Sequence, residues 1–326
     1  MTGAERTATA YWVEGPGHGA LRRQPLRAAE DGEVEVVTRC SGVSCGTERL
    51  VGRGRVPATV AAAMACQGMQ GTFALPVSYG YSLVGEVAAT GERVFTMHPH
   101  HDRAVVAHER LVPLPDAVPA HRATLLPNLE TALNAAWDAE LRAGERVVVL
   151  GGGAVGLLLT FVLARCHDGP VTLVEATAER RAFAARLPWL DEVVAPDAVA
   201  PERAAVAFHT TASGAGLSLA IDAVAFEGRV IELSWYGDEA VQLHLGGSFH
   251  HGRKRILGSQ VAAIAPSHRA EGRAARTAAV LDLLHDDRLD ALLGEPIPFA
   301  ALPAFFARLY RGEPTEPCPV VDYGRR

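Results

Sequence analysis

The chain has 326 residues, 48% of them hydrophobic and 21% charged, an ordinary globular composition with length enough for two domains. A formal charge of −6 leaves no basic footprint for nucleic acid. Five cysteines, at 40, 45, 66, 166 and 318, are too few and too scattered for a disulfide framework and suit a reducing compartment.

The opening stretch "MTGAERTATAYWVEG" lacks the apolar run of a secretory signal, so a cytoplasmic location is expected. Short strands follow, "EVEVVTRC" (33–40), "SLVGEVAAT" (82–90), "RVFTM" (93–97) and "AVVAHERLVPLP" (104–115), separated by Gly/Pro turns. That is an all-β pattern. Within it, "RCSGVSCGTERL" (39–50) reads as a tight loop at a strand end, with Cys40 as a buried strand residue. Its C-x4-C pair lacks the second half that a structural zinc needs. The turn "MHPHHDR" sets His98, His100, His101 and Asp102 close together. Such a cluster could hold a metal or run acid/base chemistry near neutrality, or be a solvated loop; His101 with Asp102 is the pair of most interest.

The segment from 144 to 181, "GERVVVLGGGAVGLLLTFVLARCHDGPVTLVEATAERR", is the most informative. Arg146–Leu150 is a β-branched run fit for a central parallel strand. Gly151, Gly153 and Gly156 then form G-x-G-x-x-G, with Ala154 and Val155 opening a helix. Gly151 permits the tight turn, Gly153 lets backbone approach a pyrophosphate, and Gly156 allows close packing of helix on strand. Free N–H groups at the helix start favour the phosphates. A second strand ends at Glu175, nineteen residues beyond Gly156, where a carboxylate accepts from ribose hydroxyls and repels a 2′-phosphate. NAD is therefore expected, with NADP kept open by Arg180 and Arg181. The uncharged run Val147–Ala164 is just long enough to imitate a membrane span, but its consecutive glycines favour strand, turn and helix.

Further on, 205–209 and 229–235 read as strands around a helix over 216–228, and strand–helix alternation predicts a doubly wound parallel sheet. His209, Thr210 and Thr211 fall at a strand's carboxyl end, the usual place for the nicotinamide end of such a cofactor. Helices are expected over 273–293 and 299–312.

These features together resemble the medium-chain dehydrogenase/reductase superfamily. "SGVSCGTE" is similar to its G-I-C-G-T-D segment, "YGYSLVGEV" to its G-H-E-x-x-G-x-V segment, and "ETALNAAW" with "GGGAVG" to its helix and nucleotide loop. A closer likeness, to a bacterial branch related to bacteriochlorophyllide dehydrogenases, is carried by "SGVSCGTERLVGRGRVP", "PVSYGYSLVGEV", "MHPHHDR", "ELSWYG" and "FHHGRKRILGSQV". The resemblance implies an α/β protein with a GroES-like β-barrel catalytic domain (1–120 and 262–326), a Rossmann domain (121–261), a nicotinamide cofactor, a small-molecule substrate and a homodimer.

The departures concern zinc. Ser44 or Cys45 stands at the first ligand position, Tyr81 at the histidine position, and Pro127 beside Asn128 at the third. A catalytic zinc needs three protein ligands and an open position, so no zinc is expected. The four-cysteine structural lobe is missing as well. Developing charge on a carbonyl oxygen then needs hydrogen-bond donors. Tyr81 is the first candidate, with Thr47 at the proton-relay position, Cys45 facing the cleft, Asn128 at its edge, and Glu130 capping a helix that begins near Thr131. The expected activity is zinc-independent hydride transfer between NAD(P) and a ketone, activated alkene or secondary alcohol. Two alternatives are a zinc enzyme using Cys45, Cys66 and His98–His101, and a cofactor-binding protein without catalysis.

Overall fold

The computed structural model describes residues 6–324. Two compact units emerge, one from residues up to Pro127 and from Leu283 onward, the other from Asn128–Asp282; the sequence suggested divisions after 120 and 261.

The first unit opens with β1 (Thr7–Gly15), β2 (His18–Pro25), β3 (Glu33–Gly42), α1 (Cys45–Gly52), α2 (Ala61–Met64), β4 (Gln70–Gly71) and β5 (Val77–Ser78). It continues through β6 (Leu83–Val87), β7 (Arg93–Thr96), β8 (Arg103–Ala107), β9 (Val112–Pro113) and α3 (Ala120–Ala123). β3 is the hub, pairing antiparallel with both β6 and β8. The four strand regions expected here are all present. The β1–β2 hairpin was not anticipated. β1 buries Ala8, Ala10, Tyr11 and Val13, but Ala and Thr give a weak hydrophobic alternation.

The loop expected within 39–50 is a correction: Cys45 begins a helix. Glu48 makes it possible, because its carboxylate returns to accept the Ser44 N–H at 2.7 Å, satisfying an orphan donor as the acidic half of a capping box does.

The second unit contains α4 (Leu126–Asp138), whose first residues belong to the first unit, then β10 (Val147–Leu150), α5 (Ala154–Cys166), β11 (Val171–Val174), α6 (Ala178–Ala184) and β12 (Glu192–Val194). β13 (Ala204–His209), α7 (Gly214–Ala223), β14 (Val224–Glu232), α8 (Ser248–His251), β15 (Arg255–Gly258) and α9 (Gly272–Leu283) complete it. The strands form one parallel sheet ordered β12-β11-β10-β13-β14-β15. Leu157, Leu158, Leu159, Phe161, Val162 and Leu163 of α5 are all buried, so the uncharged run at 147–164 is strand, glycine turn and core helix. Among the described residues no helix is long and apolar enough to cross a membrane.

Two expectations shift. The helix read over 216–228 stops at Ala223, because Val224 pairs with Ala204 in the sheet and the chain bulges, with Glu227 at φ +58°, before resuming at Arg229. Helix α4 starts at Leu126 rather than near Thr131, so Glu130 lies past its first turn and caps nothing. It accepts the Thr277 hydroxyl at 2.6 Å and sits 3.5 Å from Arg276, tying α9 to α4.

The chain then returns with β16 (Ile297–Pro298), α10 (Leu302–Arg311) and β17 (Val320–Asp322). β17 pairs with β3, which makes the tail part of the first unit's main sheet. Helix α10 buries Leu302, Phe306, Leu309 and Tyr310 in a cluster with Tyr11, Val43, Val51 and Tyr79. Phe306 stacks on Tyr11 at 4.5 Å between centroids.

Candidate active site

The glycine turn of the second unit follows β10. Gly151 has φ +110°, a conformation that L side chains avoid. A Cβ on Gly156 would lie 1.9 Å from Gly151 O, whereas one on Gly153 would meet nothing within 4 Å. Close packing is thus required at Gly156, and open space lies at Gly153, which precedes Ala154 and Val155 at the start of α5. No side chain caps α5, leaving its first N–H groups for an anion.

Glu175 is buried and faces this turn. Its Oε2 accepts the Gly152 N–H and its Oε1 the Thr177 N–H, both at 2.7 Å. An ionised carboxylate has about four lone-pair sites, so ribose hydroxyls can still be accepted. Arg181 donates to the carbonyls of Glu175 and Ala176, while Arg180 is exposed. The Thr210 hydroxyl donates to Leu150 O at 2.8 Å, bracing the turn.

Thr211 Oγ1 lies 2.6 Å from His209 Nε2, and His209 Nδ1 lies 2.8 Å from Glu232. The Tyr236 hydroxyl donates to the same carboxylate at 3.0 Å. Burial raises the Glu232 pKa, but the hydrogen bond and charge of His209 together with the bonds from Ser234 outweigh it and hold the group below the usual carboxylate range. Glu232 and Tyr236 were missed by sequence reasoning; a carboxylate at the end of the strand beside His209 was the available signal.

In the first unit three hydroxyls meet. Tyr81 O–H donates to Ser44 Oγ, and Thr47 Oγ1 is 3.4 Å away. Burial, aided by the nearby Glu48 charge and opposed by the Ser44 and Thr47 hydrogen bonds, pushes the phenol pKa up to about 12. It remains a proton donor throughout the physiological range. Cys45 turns elsewhere, with Sγ 3.5 Å from Thr315 Oγ1. Asn128 belongs to the second unit, half-buried on α4.

The histidine turn is not a solvated loop: His98, His100 and His101 are all buried. His101 Nε2 is 2.9 Å from Ser78 Oγ and His98 Nδ1 donates to Pro99 O at 3.0 Å. Burial lowers the His98 pKa to about 4 and holds that of His101 well below its ordinary value. His100 Nε2 lies 2.9 Å from Glu48 Oε2 and its Nδ1 2.7 Å from Ser41 Oγ. His101 is therefore bonded to Ser78 on β5, while His100 is the histidine joined to α1.

Both His100 nitrogens are committed, and burial pushes the Cys66 thiol up to about 12 while its Sγ bonds Gly80 O at 3.1 Å. Among the described residues no group of three or more His, Cys, Asp or Glu is placed to hold an ion.

No family model matches the chain. An uncharacterised zinc-type alcohol dehydrogenase-like protein of Haemophilus influenzae is 28% identical over 137 residues, 38% of this chain. The chain spans about two fifths of that relative's length, 39%. Among solved structures, 2R,3R-butanediol dehydrogenase of Bacillus subtilis is 19% identical with a TM-score of 0.77, covering 97% of this chain and 99% of that one. Acetophenone reductase of Geotrichum candidum, in complex with NAD, is 17% identical with a TM-score of 0.77 and 97% coverage of both chains. At these identities the likeness shows the fold alone, a β-rich unit and a parallel-sheet unit of the kind these dehydrogenases carry.

Proposed function

We propose that the protein is an NAD(P)-dependent oxidoreductase that transfers hydride between the nicotinamide and a small ketone, activated alkene or secondary alcohol, with Tyr81 rather than zinc serving the substrate oxygen. The observation that carries this is the convergence of the Tyr81, Ser44 and Thr47 hydroxyls at the position where the resemblance would put a metal. The glycine turn, the start of α5 and Glu175 would hold the dinucleotide, and that cofactor, when bound, supplies the hydride. NAD is favoured over NADP by the Glu175 carboxylate. Tyr81 gives its proton to the oxygen as charge develops there; Ser44 and Thr47 fix the hydroxyl and relay a replacement proton. A metal-free site suits reduction better than oxidation, since removing an alcohol proton without a Lewis acid is harder. The likeness to acetophenone reductase and butanediol dehydrogenase supports a neutral carbonyl or alcohol substrate.

The test is fluorescence titration with NADH and NADPH, followed by a panel of ketones, enones and secondary alcohols, with metal analysis of the same preparation. Turnover without stoichiometric metal, lost in Tyr81→Phe, is expected. Zinc that leaves together with activity would sink the tyrosine reading. Cofactor binding with no turnover across the panel would favour a binding protein.

A further inference from the structure

The Tyr81 hydroxyl is backed by a buried polar chain that the proposed chemistry does not itself use. Glu48 is 4% exposed and His100 1%. Both carboxylate oxygens of Glu48 are committed, Oε1 to the Ser44 N–H at 2.7 Å and Oε2 to His100 Nε2 at 2.9 Å. Beyond the imidazole, Nδ1 is 2.7 Å from Ser41 Oγ, which is 3.0 Å from the Tyr323 hydroxyl. With the carboxylate ionised, every proton in this chain has one consistent direction. Tyr323 donates to Ser41, Ser41 to Nδ1, and Nε2–H to Glu48.

Burying a carboxylate is costly unless it is paired and hydrogen-bonded. A helix start needs no such device, because a serine at that position normally accepts from its own first turn. Ser44 does not do so; its hydroxyl is turned to Tyr81, and Glu48 supplies the return bond instead. The fold also leaves room for the ring: Gly80, at φ +143°, would place a Cβ 3.2 Å from the His100 imidazole.

We propose that Glu48 and His100 are positioning residues for the Tyr81 donor: the buried imidazole orients the carboxylate, the carboxylate pins Ser44 at the start of α1, and Ser44 aims the tyrosine hydroxyl. A satisfied network of this kind rigidifies what it touches. The inference rests on the reading of Tyr81 as the donor.

The experiment compares His100→Leu with His100→Gln, whose side-chain amide can still donate to Glu48. The expected result for His100→Leu is a fall in kcat of roughly 10- to 100-fold, the scale of a misplaced reacting group, with KM little changed. His100→Gln recovers most of it. In tyrosine labelled with ¹³C at Cζ, the Tyr81 resonance, identified by its loss in Tyr81→Phe, moves in His100→Leu and returns toward the wild-type position in His100→Gln. A folded His100→Leu protein with unchanged kcat and an unmoved resonance overturns the proposal, as does a rise in KM alone. If the wild type turns over no substrate, the functional reading fails and the resonance alone decides this inference. Should His100→Leu not fold, Ser41→Ala breaks only the outer bond; an unmoved Tyr81 resonance there overturns the proposal equally.

Discussion

Two places in the molecule join a strand to a helix through a glycine-containing turn, and they work in opposite ways. Between β10 and α5 the turn functions by lacking side chains: Gly156 lets the helix press on Gly151 O, and Gly153 leaves space in front of free N–H groups. Between β3 and α1 the turn functions by its side chains, as Ser44, Thr47 and Glu48 reach Tyr81 and His100. A site made of backbone is recorded in local spacing. A site made of side chains depends on residues that only folding brings together.

The sharpest break of this contrast is Tyr81→Phe. It keeps the ring and removes one hydroxyl from a three-hydroxyl cluster. The expected loss is about 10²- to 10³-fold in kcat, the usual effect of deleting one preorganised donor, or about 3 to 4 kcal/mol. The melting temperature should barely move. A loss below tenfold would show that the donor is another group.

The next effect is on stability and belongs to the same unit. His98 is buried, and burial lowers its pKa from about 6.5 to about 4, so the unfolded chain binds the proton more readily than the folded one. Stability from this residue is complete above pH 6.5 and is lost as pH falls from about 6.5 to about 4, on the order of a few kcal/mol. Denaturant titrations at pH 7, 5.5 and 4.5 read this slope. In His98→Gln the slope over that window should flatten; an unchanged slope would assign it to other groups.

How much of this could be read beforehand follows from the same contrast. The turn at 151–156 and Glu175 were legible because they rest on contacts within some thirty residues of chain, and the parallel sheet because strands and helices alternate along it, although its central pair, β10 and β13, joins residues about sixty apart. Tyr81 and Thr47 were legible as candidates only through their place in a resemblance. Their meeting with Ser44 was not, nor was the exchange of roles between His101 and His100, since Ser41, Glu48, His100 and Tyr323 are far apart in sequence. The strand Val224–Glu232 was hidden by a bulge that breaks its alternation, and the β1–β2 hairpin by alanines that bury without announcing it.

Within the glycine turn, two alanine substitutions sharpen the distinction between packing and binding. Gly156→Ala puts a methyl against Gly151 O, at 1.9 Å before relaxation, and should cost about 1 to 3 kcal/mol of stability along with dinucleotide affinity. Gly153→Ala meets no neighbour within 4 Å and should change stability by only about 0.5 kcal/mol. It should still weaken NADH binding, because the methyl occupies the space proposed for the pyrophosphate. Denaturation and fluorescence titration on both variants check this; equal effects on stability would mean that the two glycines share one role.

The effect on cofactor choice is the most specific. Glu175→Gln removes the negative charge facing the turn but keeps one carbonyl oxygen, so one of the Gly152 and Thr177 N–H bonds is weakened. NADH affinity should fall modestly, while NADPH, no longer repelled at its 2′-phosphate, should gain. The ratio of the two dissociation constants should move toward NADPH by about tenfold, equivalent to about 1.4 kcal/mol, when both are measured at one ionic strength because exposed charges are screened. Adding Arg180→Ala to that variant should reverse the NADPH gain if the exposed guanidinium receives the phosphate. If the wild type already binds both dinucleotides equally, the Glu175 carboxylate serves the turn alone, and even this acidic residue belongs to the backbone-built site rather than to the selection of its ligand.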